Sequence, residues 1–443
     1  MTATRNPRGT EMRLGLFLGR SDGFCEWLSP HSRAEEHHRL AYSRDLAALA
    51  ERGRFDLVFR ADGLEINPSK LGRKATFGLE PIVHLAALAG VTEHVGLVGT
   101  LNTTFSDPYI TARQFATLDH LSGGRAGWNM VTTPGSVKNF TNKEVLAHNI
   151  AYDRAEEFVR LAEALWTSWD ADALAIDRTA QVYADGSKVR PVHHRGTYFD
   201  VEGPLNIPRS PQGRPLLAQA GISPVGKDFG ARHADIIYTV AFRKDVARSY
   251  YDDFRSRVVA AGRDPEHVLI MPGVKVYVAP TRAEAVEMYH DLARGIDVPT
   301  GLVQTADAMG GVDLSGLDLD DKVPVERLDA IGGSQGQRGR PAMLRGLARD
   351  EGHTVRQLME LVLSTAGHGS IVGSPADVAD HFADWFDDHA ADGFNILPSN
   401  EPDGVRVFVD EVVPILQERG YVKTEYREGT LRDKLGLPPA YPA

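Results

Sequence analysis

The chain has 443 residues, 42% of them hydrophobic and 25% charged, the balance of an ordinary globular protein with a sizeable core. A net charge of −11 argues against nucleic acid as a partner, because a phosphate backbone calls for a basic stripe. A single cysteine, Cys25, excludes an intrachain disulfide and a cysteine-based metal site.

In chain order, short apolar runs alternate with longer amphipathic segments. Strands are predicted at Leu14–Leu18, Asp56–Phe59, Val95–Thr100, Ala126–Val131, Leu216–Ala220, Ile236–Val240, Val274–Ala279 and Phe394–Leu397. Helices are predicted between them at His38–Arg52, Pro81–Val91, Tyr109–His120, Arg154–Trp169, Lys227–His233, Lys244–Ala261 and Arg282–Arg294. Val355–Ser364 and Ala376–Ala390 precede the last strand, and Val405–Arg419 follows it. This repetition fits a closed α/β barrel, the (β/α)₈ or TIM type, better than an open sheet, which the pattern alone leaves possible. Two stretches break the rhythm, at about 170–214 and 296–350. The βα pattern resumes after each, so residues 13–437 read as one domain whose insertions are expected to cap the carboxyl-terminal face. No apolar run reaches the ~18 residues of a membrane span. The polar start, Met1 to Glu11, has no secretory apolar segment, so a cytoplasmic protein without membrane contact is expected.

In such a barrel the chemistry gathers at the carboxyl ends of the strands. Asp62, Thr100, Asn102, Thr103 and Asn129 fall there, each needing a protein partner, water or a ligand. After the fifth strand, Gly221-Ile-Ser-Pro-Val-Gly226-Lys227-Asp228 nearly spells a P-loop. Asp228 stands where a magnesium-binding hydroxyl is needed and would repel a triphosphate, so a nucleoside triphosphatase is rejected. Gly221, with Ser223 as N-cap of the next helix, still suits a monophosphate; an ordinary cap and turn is the alternative. No dinucleotide fingerprint, serine-hydrolase elbow or His-Glu-x-x-His occurs. His37-His38 and His193-His194 read as solvated surface pairs, and Cys25 receives no role. A metal-dependent barrel hydrolase remains an alternative, because such sites draw single ligands from separate strands.

Several phrases resemble the bacterial-luciferase-like flavin monooxygenases. They include Leu79-Glu-Pro-Ile82, Val95-Gly-Leu-Val-Gly-Thr100, Phe115-Ala-Thr-Leu-Asp-His-Leu-Ser-Gly-Gly-Arg125 and Gly127-Trp-Asn129. Tyr152-Asp-Arg-Ala-Glu-Glu-Phe158, Gly203-Pro-Leu-Asn206, Gln219-Ala-Gly221 and Leu431-Arg-Asp-Lys-Leu-Gly-Leu437 resemble the branch of nitrilotriacetate monooxygenase component A and dibenzothiophene-sulfone monooxygenase. The resemblance runs from Arg13 to Leu437. It implies a monooxygenase using FMN as FMNH₂, delivered by a separate NAD(P)H:flavin reductase, with O₂ activated as a flavin C4a-hydroperoxide. It also implies a homodimer or homotetramer. Carried over by motif, Asp62, Thr100, His148, Tyr152 and Ser223 would contact the flavin, with His148 and Tyr152 catalytic; Asn129 and Gly221, read above from their places at the strand ends, complete the expected cofactor-binding set. A deazaflavin-dependent oxidoreductase of the same fold is the nearest alternative. The chain departs from the family at His148-Asn-Ile-Ala-Tyr152, where an acid and a base are missing, and at Arg60, which replaces an apolar residue. Arg60 is read as either facing the pocket or forming a surface salt bridge.

Overall fold

The computed structural model describes residues 6–18, 27, 32–66, 78–132, 139–140, 146–331, 340–365 and 368–441. Cys25 lies outside them.

Eight parallel strands form the centre: β1 (Arg13–Phe17), β2 (Leu57–Arg60), β3 (Gly96–Asn102), β4 (Ala126–Val131), β5 (Leu216–Gln219), β6 (Ile236–Thr239), β7 (Leu269–Val278) and β8 (Gly393–Pro398). Each pairs with its neighbours in the order β6-β5-β4-β3-β2-β1-β8-β7, and β6 also pairs with β7, from Ile236↔Leu269 to Thr239↔Pro272. That last pairing closes the barrel. The strands are buried on both faces, which explains why they read as nearly continuous apolar runs rather than alternating ones.

The helices α1 (Leu40–Arg52), α2 (Pro81–Ala89), α3 (Pro108–Leu121), α4 (His148–Trp166), α5 (Pro224–His233) and α6 (Lys244–Ala260) cross between successive strands. Proline at the first position and a capping side chain start several of them. Glu80 accepts from Val83 N–H in α2, Asp107 from Ile110 N–H in α3 and Ser223 from Gly226 N–H in α5. Between β7 and β8 lie α7 (Arg282–Arg294), α8 (Val298–Ala308), α9 (Val325–Asp329), α10 (Arg340–Asp350), α11 (Val355–Thr365) and α12 (Pro375–Asp387). A short strand there, Gly369–Gly373, adds to the outer edge of β7 and was not expected from the sequence.

Side-chain size decides where the barrel is solid. Leu57, Phe59, Val98, Leu216, Ile236, Met271 and Leu397 fill its interior, and Leu431, Leu435 and Leu437 of the carboxyl-terminal segment plug the amino-terminal end. Gly96 makes room for the plug, since a Cβ there would stand 2.6 Å from a Leu431 methyl. Higher up, small residues stand on the inner face: Ala61, Ala220 and Gly273. A cavity opens there instead of a packed layer.

The insertions behave differently from one another. Residues 170–214 form two small hairpins, Leu174–Asp177 with Val182–Ala184 and His194–Arg195 with Asp200–Val201. The second lies along the outside of α4, where the Glu157 carboxylate accepts from the N–H groups of Thr197, Tyr198 and Phe199. Gln212 then bonds Asp119 and the carbonyl of Ala126, at the start of β4. This insertion therefore clamps the flank and the amino-terminal end rather than capping the carboxyl-terminal face. The cause is its point of departure: it leaves from the far end of α4, not from a strand. The 296–350 insertion is helical and shares a hydrophobic cluster with α11 through Met309, Leu328, Leu344, Leu347 and Leu358.

Two side-chain expectations are corrected. Arg60 is 3% exposed and lies behind the barrel wall, donating from Nη1 to Leu18 O at 3.2 Å, so it neither faces the pocket nor sits at the surface. His37 is buried with its ring 4.8 Å from that of Tyr42. No helix among the described residues is long and apolar enough to cross a membrane.

Candidate active site

A cavity of about 430 Å³ opens at the carboxyl ends of the strands. All seven expected site residues line it: Asp62, Thr100, Asn129, His148, Tyr152, Gly221 and Ser223. They come from the loop after β2, from β3 and β4, from the first turn of α4, and from the loop joining β5 to α5.

Thr100 and Asn129 are register partners on neighbouring strands, so both side chains face inward together. Asn129 Nδ2 donates to Thr100 Oγ1 at 2.9 Å, while its Oδ1 is buried without a hydrogen-bond partner. Asn102 and Thr103, grouped with them by position, do local work instead. Asn102 Oδ1 accepts from Thr104 N–H at 2.7 Å, and Thr103 bonds the carbonyl of Val131.

Helix α4 begins at His148, earlier than the predicted Arg154. The spacing of four therefore stacks His148 and Tyr152 on one face, with ring centroids 5.1 Å apart. Tyr152 is 8% exposed, and burial pushes its phenol up despite contacts with Thr132, Ser223 and Gln219 that pull it down. The Asp62 carboxyl is also pushed up by burial, which the Gly63 N–H and Arg60 only partly offset.

At the other end, Ser223 Oγ accepts from Gly226 N–H at 3.1 Å and Pro224 occupies the first helical position of α5. The loop folds back tightly. A Cβ on Gly226 would stand 2.7 Å from Tyr152 Oη and 3.1 Å from the Gly221 Cα, so only glycine keeps these three groups together. Tyr250 of α6 donates to the Gly221 carbonyl at 3.4 Å from behind, and Lys227 is held away by Asp253 at 2.7 Å.

Phe17, Phe59, Tyr238, Gly273, His368 and Asn395 also line the cavity and had not been singled out. Phe59 meets Phe17 edge-on at 5.0 Å and Tyr238 at 4.5 Å, forming an aromatic wall. Tyr238 Oη and Asn395 Oδ1 are buried without hydrogen-bond partners, and burial holds the Tyr238 phenol well above its ordinary range. Asn395 carried the same signal as Asn129, a polar residue inside an apolar strand. Among the described residues, no group of three or more His, Cys, Asp or Glu is placed to hold a metal ion.

A closed parallel barrel with one polar-lined cavity at its strand ends and a helix N-terminus aimed into it defines a small-molecule enzyme of the TIM-barrel class. The sequence profile of the luciferase-like monooxygenases matches residues 22–392, and the chain belongs to that family. It is 40% identical over 430 residues to N-acetyl-S-(2-succino)cysteine monooxygenase of Bacillus subtilis (strain 168), covering 96% of this chain and 97% of that one. It is 39% identical over 442 residues to nitrilotriacetate monooxygenase component A of Aminobacter aminovorans, covering 96% of each. Among solved structures, riboflavin lyase with modified FMN and its substrate riboflavin superposes with a TM-score of 0.85 at 31% identity, over 97% of both chains.

Proposed function

We propose that this chain is the oxygenating component of a two-component, FMNH₂-dependent monooxygenase that acts on a small organic molecule. A separate NAD(P)H:flavin reductase would supply the reduced FMN. The observation that carries this reading is the pairing, in one cavity, of an anion-binding helix end with an aromatic wall and unpartnered buried polar atoms. The N-terminus of α5, with Ser223, Gly221 and Gly226, suits a phosphate. Phe17, Phe59 and Val131 suit a flat apolar ring, and Asn129 Oδ1, Asn395 Oδ1 and Tyr238 Oη call for ligand hydrogen bonds. The names of the relatives, monooxygenases and a component A among them, point the same way.

Reduced FMN, when bound, supplies the electrons and the oxygen activation. The residues of the chain bind, orient and shelter. Ser223 Oγ accepts from Gly226 N–H and lies in hydrogen-bond contact with the Tyr152 hydroxyl, so its O–H would turn from the phenol to donate to a phosphate oxygen. Tyr152, kept protonated by burial, holds a proton at its Oη beside the His148 ring. The closed barrel wall shields the sides and floor of the cavity from bulk water.

The test uses the purified chain, which should be nearly colourless because oxidised FMN is held weakly. With a panel of candidate substrates, product should form only when NADH, FMN and a flavin reductase are all present. Substrate oxygenation coupled to NADH oxidation by this chain alone would overturn the two-component reading.

A further inference from the structure

We propose that Asn395 is the residue through which the cavity distinguishes reduced from oxidised flavin, its Oδ1 accepting an N–H that the ring carries only after reduction. This rests on the flavin reading above.

Three observations lead here. Asn395 is 3% exposed, lines the cavity, and its Oδ1 has no hydrogen-bond partner. A buried carbonyl oxygen left unpaired in the protein itself marks a place where a ligand donor belongs. Its register partners on both sides are glycines, Gly15 on β1 and Gly273 on β7. In a parallel sheet those positions share the inner face with Asn395, so both side chains that would crowd the amide are missing. The glycines are needed. A Cβ on Gly15 would stand 3.0 Å from Asn395 Oδ1, and one on Gly273 would stand 2.8 Å from His368 Nδ1, the ring that covers that flank.

The chemistry gives the acceptor its meaning. Oxidised isoalloxazine carries one ring N–H, at N3, and N5 offers only a lone pair. Taking up two electrons with protons puts hydrogen on N5, turning an acceptor into a donor. An amide oxygen repels a lone pair and binds an N–H, so a buried, unpaired acceptor in the cavity wall, set against N5, would favour the reduced ring. Asn129 is less suited, because its amide is already fixed to Thr100 Oγ1.

The test compares wild type with Asn395→Leu, a replacement of similar shape without polar atoms. Asn395→Ala serves as a second variant, read the same way. FMN is titrated aerobically in its oxidised form and anaerobically in its reduced form, and the melting temperature of the flavin-free protein is recorded. Wild type should bind reduced FMN at least tenfold more tightly than oxidised FMN. The Leu variant should lose about tenfold in reduced-FMN affinity. It should keep oxidised-FMN affinity within about threefold and melt no lower than wild type, since an unpaired buried oxygen has been removed. The midpoint potential of bound FMN should fall by about 30 mV for each tenfold change in that ratio. Equal loss of both forms, or no change in either, would overturn the proposal while leaving the flavin site standing. A wild-type protein that binds neither form would overturn both readings.

Discussion

Ser223 caps α5 with the same oxygen that is proposed to bind phosphate, and the two roles can be separated by experiment. As N-cap it steadies α5, so Ser223→Ala should cost ~1 kcal/mol of stability. As a phosphate donor it should contribute about 1.5–3 kcal/mol to FMN binding, a charge-assisted hydrogen bond. Riboflavin lacks the phosphate, so titrations of the variant should weaken FMN by about tenfold or more and leave riboflavin nearly unchanged. Equal loss for both would place the phosphate elsewhere. Tyr152 is the second test. Tyr152→Phe keeps the ring against Phe229, 5.5 Å away, and removes only the hydroxyl. Fold and FMNH₂ affinity should hold within a few fold, while product per oxygen consumed falls, the rest appearing as hydrogen peroxide. One lost hydrogen bond of ~1–3 kcal/mol corresponds to about five- to 150-fold in the affected step. Full coupling with only a lower melting temperature would make the pair with His148 scaffold. Motif resemblance made Asp62, Thr100, His148, Tyr152 and Ser223 legible in the sequence, and their places at strand ends made Asn129 and Gly221 legible. Tyr238 escaped because it sits in an apolar run with no motif around it, and Asn395 because its signal, a polar residue inside an apolar strand, stood one residue past the motif Ala391-Asp-Gly-Phe394. Only strand alternation about a closed barrel tells which residues of such a run face inward.

At the scale of elements, the β5–α5 loop shows local propensity overruled by the site. Glycine at position 226 weakens α5, so Gly226→Ala should gain up to about 1 kcal/mol of helix stability. The added methyl would meet Tyr152 Oη at 2.7 Å and the Gly221 backbone at 3.1 Å, forcing the β5–α5 loop and the tyrosine apart. The expected result is a melting temperature unchanged or raised, with FMN affinity reduced at least severalfold by titration. Undiminished affinity would show that this close approach is not part of the binding site. Other elements show where pattern reading works and where it stops. The barrel strands were legible because each is buried on both faces and reads as an apolar block. The start of α4 was set six residues late, since Ala147 offers no side-chain cap to announce it. The strand Gly369–Gly373 was missed because glycines bound its short apolar centre. Helices α8 to α10 were hidden by surrounding Gly, Asp and Pro. They hold together through a cluster with α11 that only the tertiary fold assembles.

For the whole molecule, the carboxyl-terminal segment ties the end of the chain to the barrel floor. Asp235, at the start of β6, is fully buried and takes paired bonds from Arg214 and Arg432, the latter beside the leucines that plug the barrel. Burial alone would raise its carboxyl, but the two guanidiniums outweigh burial and hold it well below the usual carboxylate range. Glu156, linking α4 to α5, is likewise raised by burial, but His233, Arg232 and Arg160 bring it down to about 2. Groups depressed in the folded state stabilise it above their unfolded pKa and lose that contribution as pH falls through the folded value. Urea midpoints should therefore hold from neutrality to about pH 5 and fall steeply toward pH 2. Asp235→Asn should lower the unfolding free energy at neutral pH by about 3–5 kcal/mol and flatten the acid slope. An unchanged slope would show that this network does not report on folding. The central claim, that the cavity takes reduced FMN and uses it to oxygenate a substrate, is tested most directly with isotopically labelled dioxygen. FMN is reduced photochemically, with no nicotinamide and no reductase present, and mixed with the chain, labelled dioxygen and candidate substrates. The account predicts product carrying one labelled oxygen atom, formed only when reduced FMN is supplied. Label arriving from water instead, or substrate turned over with reduced deazaflavin and no oxygen consumed, would contradict it.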